Sequence, residues 1–426
     1  MKNRSEIVGA VDFGSRDVRV LIARKDDDGT IQIVGQGTAP GHGCVSQGVI
    51  QDLGVAQMAL KAALGDAERD ARIHVTSLFC GINGKNVETF LREGHVRLEH
   101  EVVEQEHLDE AQDLASRDIL ESGKRIVSSI AAQEWYVDDL RVIDPLGITG
   151  QVLKTRMHFA RIPAVIEDNI VQCIESQRRE LEDLIFMPLA SALGCLTPED
   201  RELGVAVLDM GRSTTGLSVF RDRRIMGTNS FEWGGYHLTR DVAAGLQISF
   251  EEADELILEY GISDDYIAML EKGAEGITRL VRNNATPIKL KTAVHGASTV
   301  VEREDLDMII YERAHELLKK TNQFLASRAL TKHLIRGVVL TGGTAAIKNY
   351  VKLAESVFQV PCRVGMPNAV EIHTPEAKKP EFSGVIGVIR HGFDYRSATR
   401  SGRIGLRGPV AHKAKRIGQA FKRYFF

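Results

Sequence analysis

The feature that most constrains this chain is a strand–turn–strand pattern that occurs once in each half. Residues 7–38 alternate apolar strands with polar turns, and residues 204–232 repeat the same order. In both copies the first strand ends in Asp-x-Gly, at Asp12-Phe13-Gly14 and at Asp209-Met210-Gly211. Apolar alternation between turns rich in glycine and aspartate is typical of β-hairpins. Two such units 197 residues apart predict two related lobes that face each other.

Composition removes several other classes of protein. The 426 residues are 43% hydrophobic and 26% charged, as in a soluble chain with large cores, which excludes collagen-like and wholly disordered proteins. The five cysteines are widely spaced and never in Cys-x-x-Cys order. This argues against a disulfide scaffold or a structural zinc site and predicts a reducing cytoplasm. No apolar run reaches the roughly 20 residues of a membrane span, and the apolar stretch near the start is too short for a signal peptide.

Two segments between the repeated units read as inserts. Residues 84–161 contain strand-like stretches and a charged helix around Gln105–Leu120, which predicts a small α+β insert in the first lobe. Residues 231–299 are the corresponding insert of the second lobe. From residue 397 the chain becomes rich in glycine and arginine, as expected of a linker. Apolar periodicity predicts further helices over Asp52–Ala71, Ala164–Glu180, Phe250–Tyr260 and Arg303–Leu330.

The Asp-x-Gly turns suit phosphate binding for a chemical reason. Glycine lets the backbone approach closely, and successive turn N–H groups form a concave anion site. A carboxylate at the end of the preceding strand can hold a magnesium-bound water. A third element is the buried strand that runs into Gly342-Gly343-Thr344, where the following helix, expected over residues 345–358, would turn its N-terminus toward an anion. Each element alone is an ordinary turn, but the three together favour a nucleotide cleft.

The C-terminal segment has a separate character. Residues 396–426 carry nine Lys and Arg and no Asp or Glu, so residues 1–395 carry a net charge of about −13. An acidic body argues against nucleic-acid binding over most of the surface. Within residues 413–426, Ile417, Phe421, Tyr424 and Phe425 share one face of a helix flanked by basic residues, which is the pattern of an in-plane membrane anchor. Docking of this helix on the protein itself or on a partner is the alternative.

These motifs resemble those of the actin, heat-shock chaperone and sugar-kinase superfamily and, within it, the FtsA family of bacterial cell-division actin homologues. The narrower resemblance comes from residues 144–150 (DPLGITG), residues 189–193 (LASAL), residues 340–345 (LTGGTA) and the basic aromatic tail. It implies an α/β, actin-like two-lobed ATPase fold with a family-specific α+β insert in the first lobe and a C-terminal amphipathic helix.

The resemblance also implies a division of the chain. The first-lobe core would be 6–83, 162–197 and 365–395, with the insert at 84–161. The second-lobe core would be 198–230 and 300–364, with its insert at 231–299 as the candidate site for the FtsZ C-terminal peptide. Residues 396–412 would be a flexible linker and residues 413–426 the membrane-targeting helix.

ATP and Mg²⁺ are the cofactors that the resemblance implies. Asp12 and Asp209 would hold the metal through water. The cofactor-binding candidates are Asp12, Gly14, Ser15, Arg16, Asp209, Gly211, Ser213, Thr214, Gly235, Gly342, Gly343 and Thr344. The membrane-contacting candidates are Lys413, Lys415, Arg416, Ile417, Phe421, Lys422, Arg423, Tyr424 and Phe425. Asp17 stands where many relatives carry Lys, and the second turn is poorer in glycine, so we name no catalytic base and expect at most slow ATP hydrolysis.

The function that the resemblance implies is an ATP-binding, actin-like division protein. It would polymerise on the cytoplasmic side of the cell membrane at the division site, as a peripheral protein on the anionic inner surface. Its partners would be FtsZ, further copies of itself and later division proteins, and no nucleic acid. The alternatives are a small-molecule kinase of the same superfamily, which would not need the basic tail, and a pilus-assembly-type actin-like membrane adaptor.

Overall fold

The computed structural model describes residues 6–99, 102–117, 119, 122–272, 287–292, 300–368 and 370–400. These residues form two α/β lobes, each built on one sheet, and a smaller α+β insert. The two-lobed fold and its insert are therefore as predicted. The C-terminal amphipathic helix was predicted over residues that lie outside the described ones.

The first lobe contains a six-stranded sheet in the order β11-β6-β1-β2-β3-β19. Its helices α1, α3, α4 and α11 cover the sheet and its edges, and a short hairpin of β4 and β5 precedes α1. The strands are β1 (Glu6–Phe13), β2 (Asp17–Lys25), β3 (Ile31–Pro40), β4 (Val45–Ser46), β5 (Val49–Ile50), β6 (Ser77–Ile82), β11 (Glu180–Phe186) and β19 (Glu371–Ile372). The helices are α1 (Leu53–Ala71), α3 (Ala164–Glu175), α4 (Met187–Cys195) and α11 (Ser383–Arg400).

The second lobe contains a five-stranded sheet in the order β14-β13-β12-β17-β18, with a separate hairpin of β15 and β16. Its strands are β12 (Val205–Met210), β13 (Thr215–Arg221), β14 (Arg224–Phe231), β15 (Pro287–Lys289), β16 (Val300–Glu302), β17 (Val338–Thr341) and β18 (Cys362–Val364). Its helices are α5 (Pro198–Leu203), α6 (Gly235–Leu246), α7 (Phe250–Tyr260), α8 (Asp264–Lys272), α9 (Arg303–Ser327) and α10 (Tyr350–Phe358).

The two sheets place the repeated motif in equivalent positions. In the first lobe β1 pairs antiparallel with β2 and parallel with β6, and Asp12 lies opposite Gly81. In the second lobe β12 pairs antiparallel with β13 and parallel with β17, and Asp209 lies opposite Thr341. Each aspartate is therefore the last residue but one of a strand in the middle of its sheet. The repeat predicted from the sequence is a real structural repeat.

The insert is a four-stranded antiparallel sheet in the order β7-β10-β8-β9, covered by one helix. Its strands are β7 (Glu88–Arg97), β8 (Lys124–Val137), β9 (Leu140–Val142) and β10 (Val152–Pro163), and its helix is α2 (Gln105–Ala115). Leu108, Ala111, Trp135 and Leu153 form part of its own apolar core. The helix is five residues shorter than the predicted one.

Four other predicted boundaries are wrong. Helix α9 ends at Ser327 instead of Leu330, because Ala329 has φ of 53°. Helix α3 ends at Glu175 instead of Glu180, because Arg178 has φ of 56° and β11 begins at Glu180. The helix after Gly-Gly-Thr starts only at Tyr350, since Gly343–Ala346 is a 3₁₀ turn. Helix α11 continues to Arg400, so the linker does not begin at residue 396.

Helices α4 and α11 cross at a point where only glycine fits. A Cβ on Gly387 would lie 1.7 Å from the carbonyl oxygen of Ala190, which is backbone and cannot rotate away. We expect Gly387→Ala to lower the free energy of unfolding by about 3 kcal/mol, because the helices must separate. Gly65→Ala in α1 is the matched control, since nothing lies within 4 Å of its Cβ position. It should raise stability by about 0.5–1 kcal/mol. Urea unfolding of both variants measures the difference, and equal stability would contradict the close crossing.

Within the described ranges, we find no helix that is both long enough and apolar enough to span a membrane.

Candidate functional site

The turns that follow β1 and β12 lie in a cleft between the two lobes. In the first turn the Gly14 N–H donates to the carbonyl of Asp17 at 3.1 Å, and in the second the Gly211 N–H donates to the carbonyl of Thr214 at 2.9 Å. Both turns line the cleft. The short hydrogen-bonded turns hold Asp12 and Asp209 at the strand ends, so that the two carboxylates face one cavity.

The Gly-Gly-Thr segment closes the second-lobe side of this cleft. Gly342 has φ of 82°, and a Cβ there would lie 2.5 Å from Oδ1 of Asp209, so the position requires glycine on both counts. Thr344 Oγ1 donates to the carbonyl of Gly211 at 3.2 Å, and the Gly235 N–H donates to the same carbonyl at 3.0 Å. The second turn, α6 and the Gly-Gly-Thr segment are thus fixed to one another around the cavity.

The two cleft carboxylates differ from ordinary surface aspartates. Burial raises the pKa of Asp12 to about 6; Arg19 opposes the rise, whereas Asp209 and Asp17 add to it. Burial also raises the pKa of Asp209, against a hydrogen bond from Ser191 Oγ to Asp209 Oδ2 of 2.5 Å. Two closely placed carboxylates with raised pKa values favour a divalent cation or a proton between them.

Arg19 is the principal cation of the cleft, and the sequence analysis did not identify it. Its guanidinium lies 3.2 Å from Asp17, 3.7 Å from Asp12 and 3.9 Å from Glu381, and its side chain is 11% exposed. The Asp17 carboxylate is turned to this guanidinium and does not line the cleft. The negative charge of Asp17 is therefore balanced by Arg19, the next basic residue along β2.

Eleven of the twelve cofactor-binding candidates line the cleft, and Ser213 does not. Ser213 Oγ instead lies 2.5 Å from Ser15 Oγ and accepts from the Gln47 N–H at 3.0 Å. The two turns therefore touch directly across the lobes. The eleven are Asp12, Gly14, Ser15, Arg16, Asp209, Gly211, Thr214, Gly235, Gly342, Gly343 and Thr344.

The wall formed by α6 and α7 contains an ion pair that the sequence pattern did not reveal. Arg212 donates to Asp254 Oδ2 at 2.5 Å, and its guanidinium lies 5.5 Å from the centre of the Tyr236 ring. Thr239 Oγ1 donates to the other oxygen of Asp254 at 2.5 Å. The only sequence signal was the arginine in a turn where glycine was expected. Apolar side chains, Ile257, Leu258 and Ile347, complete this wall.

The donors and acceptors of the cleft fit a magnesium–nucleotide complex. Among the described residues, Arg19 Nε and Asn83 Oδ1 are buried without a hydrogen-bond partner although both residues line the cleft. A guanidinium suits phosphate oxygens, and an amide oxygen accepts from a hydroxyl or a bound water. The described residues contain no group of three or more His, Cys, Asp and Glu that could hold a metal alone. Water and phosphate oxygens would complete the coordination, as Mg²⁺ prefers.

Two sequence families match this chain. The family described as "Cell division protein FtsA" matches residues 206–387, and the "SHS2 domain inserted in FTSA" matches residues 84–160, which is the insert. The chain is 27% identical to the cell division protein FtsA of Neisseria meningitidis, over 91% of each chain. It is 26% identical to that of Escherichia coli, over 92% of this chain and 91% of the relative. It is also 26% identical to the cell division protein FtsA of Bacillus subtilis, over 96% of this chain and 88% of the relative.

Solved structures with similar folds include actin-like proteins. A chain of the PilM–PilN type IV pilus biogenesis complex superposes with a TM-score of 0.61 at 14% identity, over 90% of this chain and 98% of that chain. MreB5 of Spiroplasma citri bound to AMPPNP gives a TM-score of 0.55 at 12% identity, over 94% and 99% of the two chains. At these identities the likeness shows the fold alone, which is the actin-like fold that the family resemblance implies.

Proposed function

Because the chain belongs to the FtsA family of cell division proteins, we propose that it is a nucleotide-dependent adaptor that links the division machinery to the membrane. The observation that carries the nucleotide site is the pairing of Asp12 and Asp209. They lie near the ends of two middle strands, one in each sheet, and face one cleft. Their pKa values are raised, and a divalent cation would offset this rise.

In this proposal ATP lies between the lobes with Mg²⁺ held through water by Asp12 and Asp209. The phosphates lie against the backbone of both turns, where the Gly14 and Gly211 N–H groups are already used to close the turns, and Arg19 and Arg16 supply positive charge. The base lies against the apolar wall of α7. The proposal is supported by MreB5, a protein of similar fold whose structure was solved bound to AMPPNP. The eleven cleft-lining candidates are the proposed site, and Ser213 joins it only if the contact with Ser15 opens.

Hydrolysis is proposed to be slow at most. A general base must be free to accept a proton from the attacking water. Asp209 already accepts from Ser191, and Asp12 and Glu381 face Arg19. Met187, which also lines the cleft, offers only a weakly accepting thioether and is not a base. Nucleotide binding would therefore serve mainly to regulate lobe closure and polymerisation, with little ATP hydrolysis.

We propose a separate role for each of the other segments of the chain. The second-lobe insert, residues 231–299, would receive the FtsZ C-terminal peptide, and the first-lobe insert, residues 84–161, would contact later division proteins. The first-lobe core would be 6–83, 162–197 and 365–395, and the second-lobe core 198–230 and 300–364. The linker would begin after Arg400, where α11 ends. Residues 413–426 would hold the protein peripherally on the cytoplasmic side of the cell membrane.

Vesicle flotation with FtsZ tests the adaptor role. FtsZ is mixed with anionic vesicles, Mg²⁺ and ATP, with or without the full chain. We expect FtsZ to float with the vesicles only when the chain is present, because the chain would bind lipid through one end and FtsZ through the second lobe. An FtsZ that lacks its C-terminal peptide is the control and should remain in the fraction that does not float. Vesicles that carry the chain but no FtsZ would contradict the proposal.

A further inference from the structure

The first-lobe insert also contacts the second lobe. Strand β14 is an edge strand of the five-stranded sheet, where it pairs with β13. Its outer side lies against β7 and β8 of the insert, and β10 reaches the same strand through His158. The insert is connected in sequence to the first lobe. It therefore covers a sheet edge of the second lobe that would otherwise be exposed.

One group of contacts is centred on Thr228 in β14. Thr89 Oγ1 of β7 donates to the Thr228 carbonyl at 3.1 Å, and His158 Nε2 of β10 shares a hydrogen bond of 2.8 Å with Thr228 Oγ1. Burial lowers the pKa of His158 to about 4. The imidazole is thus neutral at physiological pH, and the hydrogen bond with the threonine hydroxyl persists there.

A second group of contacts is centred on Glu134 in β8, which is 7% exposed. Arg224 of β14 donates to its Oε1, and the Tyr136 hydroxyl donates to its Oε2 at 2.6 Å. Arg156 lies 3.8 Å from the same carboxylate. Because the carboxylate is buried with these partners, its ion pair with Arg224 resists solvent screening more than a surface pair does. We call Thr89, Glu134, His158, Arg224 and Thr228 the brace.

Strand β14 connects the brace to the cleft along continuous chain. Beyond Thr228, Ser230 Oγ accepts at 3.1 Å from the N–H of Gly84, the residue at which the insert begins. The strand ends at Phe231, and four residues later Gly235 lines the cleft. A rotation that separates the lobes must therefore either break these contacts or move the insert together with β14.

We propose that the insert works as a mechanical brace, so that opening of the cleft and tilting of the insert are one motion. A partner bound to the insert would then change ligand affinity at the cleft, and a cleft ligand would change partner affinity by the same factor. The coupling comes from β14 and does not depend on which ligand the cleft takes, so it goes beyond the proposed function.

The test compares lobe separation in the ligand-free full chain. Spin labels are placed at Lys61 of α1 and Lys319 of α9, both exposed and one in each lobe. The brace variant is Thr89→Val with Thr228→Val, which removes both hydroxyls and keeps the side-chain shape. Thr155→Val is the matched control, because this buried strand hydroxyl makes no hydrogen bond among the described residues.

We expect a broader distance distribution with a longer mean distance in the brace variant, and an unchanged distribution in the control. Glu134→Gln weakens the second group of contacts and should change the distance distribution in the same direction. This variant replaces the double variant in the test if the double variant does not fold. A merely structural role would lower the unfolding midpoint without moving the distance between the labels. An unchanged distribution in folded brace variants would therefore overturn the proposal, whatever the cleft binds.

Discussion

Replacement of Asp12 by asparagine is expected to make the ligand-free protein more stable at pH 7.5. The pKa of this carboxyl rises from 3.8 to about 6 on folding. Such a rise corresponds to about 3 kcal/mol of unfavourable free energy for the ionised form. The side chain is 20% exposed, which reduces the expected gain to about 2 kcal/mol. The neutral amide removes this cost because it carries no charge into the cleft.

The pH dependence of this effect has a definite sign. The folded state holds its proton on Asp12 up to about pH 6, whereas the unfolded chain loses it near pH 3.8. Stability from this group therefore increases as pH falls through 6, and the penalty in the unsubstituted protein is gone below 3.8. The advantage of Asp12→Asn should shrink over the same window and vanish at its acidic end.

Urea unfolding in EDTA at a series of pH values measures this effect. Asp139→Asn is the matched control, because Asp139 is 92% exposed and should change stability by less than about 0.5 kcal/mol. A loss of stability in Asp12→Asn at pH 7.5, or a gain that does not depend on pH, would show that the carboxylate is not strained by its burial.

Removal of residues 401–426 is expected to abolish binding to anionic vesicles. Burial of Ile417, Phe421, Tyr424 and Phe425 in a lipid interface contributes at most about 6–10 kcal/mol. Each nearby basic residue adds about 1 kcal/mol, and ordering of the helix opposes both terms at about 1 kcal/mol or more per residue. The net affinity of one tail is modest, so polymers carrying many tails should bind much more tightly.

Co-sedimentation with vesicles compares the full chain with one that ends at Arg400. We expect the partition constant of the shortened chain onto the vesicles to fall at least tenfold, the equivalent of about 1.4 kcal/mol. Phe421→Ala should weaken binding, whereas Phe426→Ala should not, because Phe426 lies off the apolar face of the expected helix. Equal sedimentation of the two chains would place the lipid contact elsewhere in the protein.

The repeated motif allowed the fold to be predicted because its signal is local. Alternating apolar residues and an Asp-x-Gly turn define each hairpin without reference to distant residues. The two copies then predicted two lobes, and the positions of Asp12 and Asp209 followed from the strand ends. The glycine pair at residues 342 and 343 was equally visible in the sequence, and at Gly342 only glycine suits the positive φ and the close packing.

The cleft residues that the sequence did not reveal depend on contacts between distant segments. Glu381 follows Arg19 by more than 300 residues, yet the two side chains lie 3.9 Å apart. Asp254 belongs to the cleft because α7 packs beside the second turn, and the sequence does not show that packing. Ser213 was assigned to the ligand because it lies in that turn, but its hydroxyl is used by Ser15 of the other lobe.

The misplaced boundaries have the same origin. Asn349 has φ of 62°, which an α-helix cannot include, so α10 begins after it. At the other end, Arg396 donates to Glu182 and to the carbonyl of Ile7, and this anchors the last turns of α11 to the first-lobe sheet. The glycine- and arginine-rich composition beyond it suggested a linker because composition does not report such contacts.

Titration calorimetry of the full chain with ATP tests the central claim, that the cleft between the lobes is a magnesium–nucleotide site. We expect saturable binding of one ATP per chain in Mg²⁺ and a large loss of affinity in EDTA. Asp209→Asn should weaken binding by at least thirtyfold, about 2 kcal/mol, whereas Asp139→Asn should leave it unchanged. Absence of binding by the folded protein, or equal binding by Asp209→Asn with and without Mg²⁺, would contradict the account.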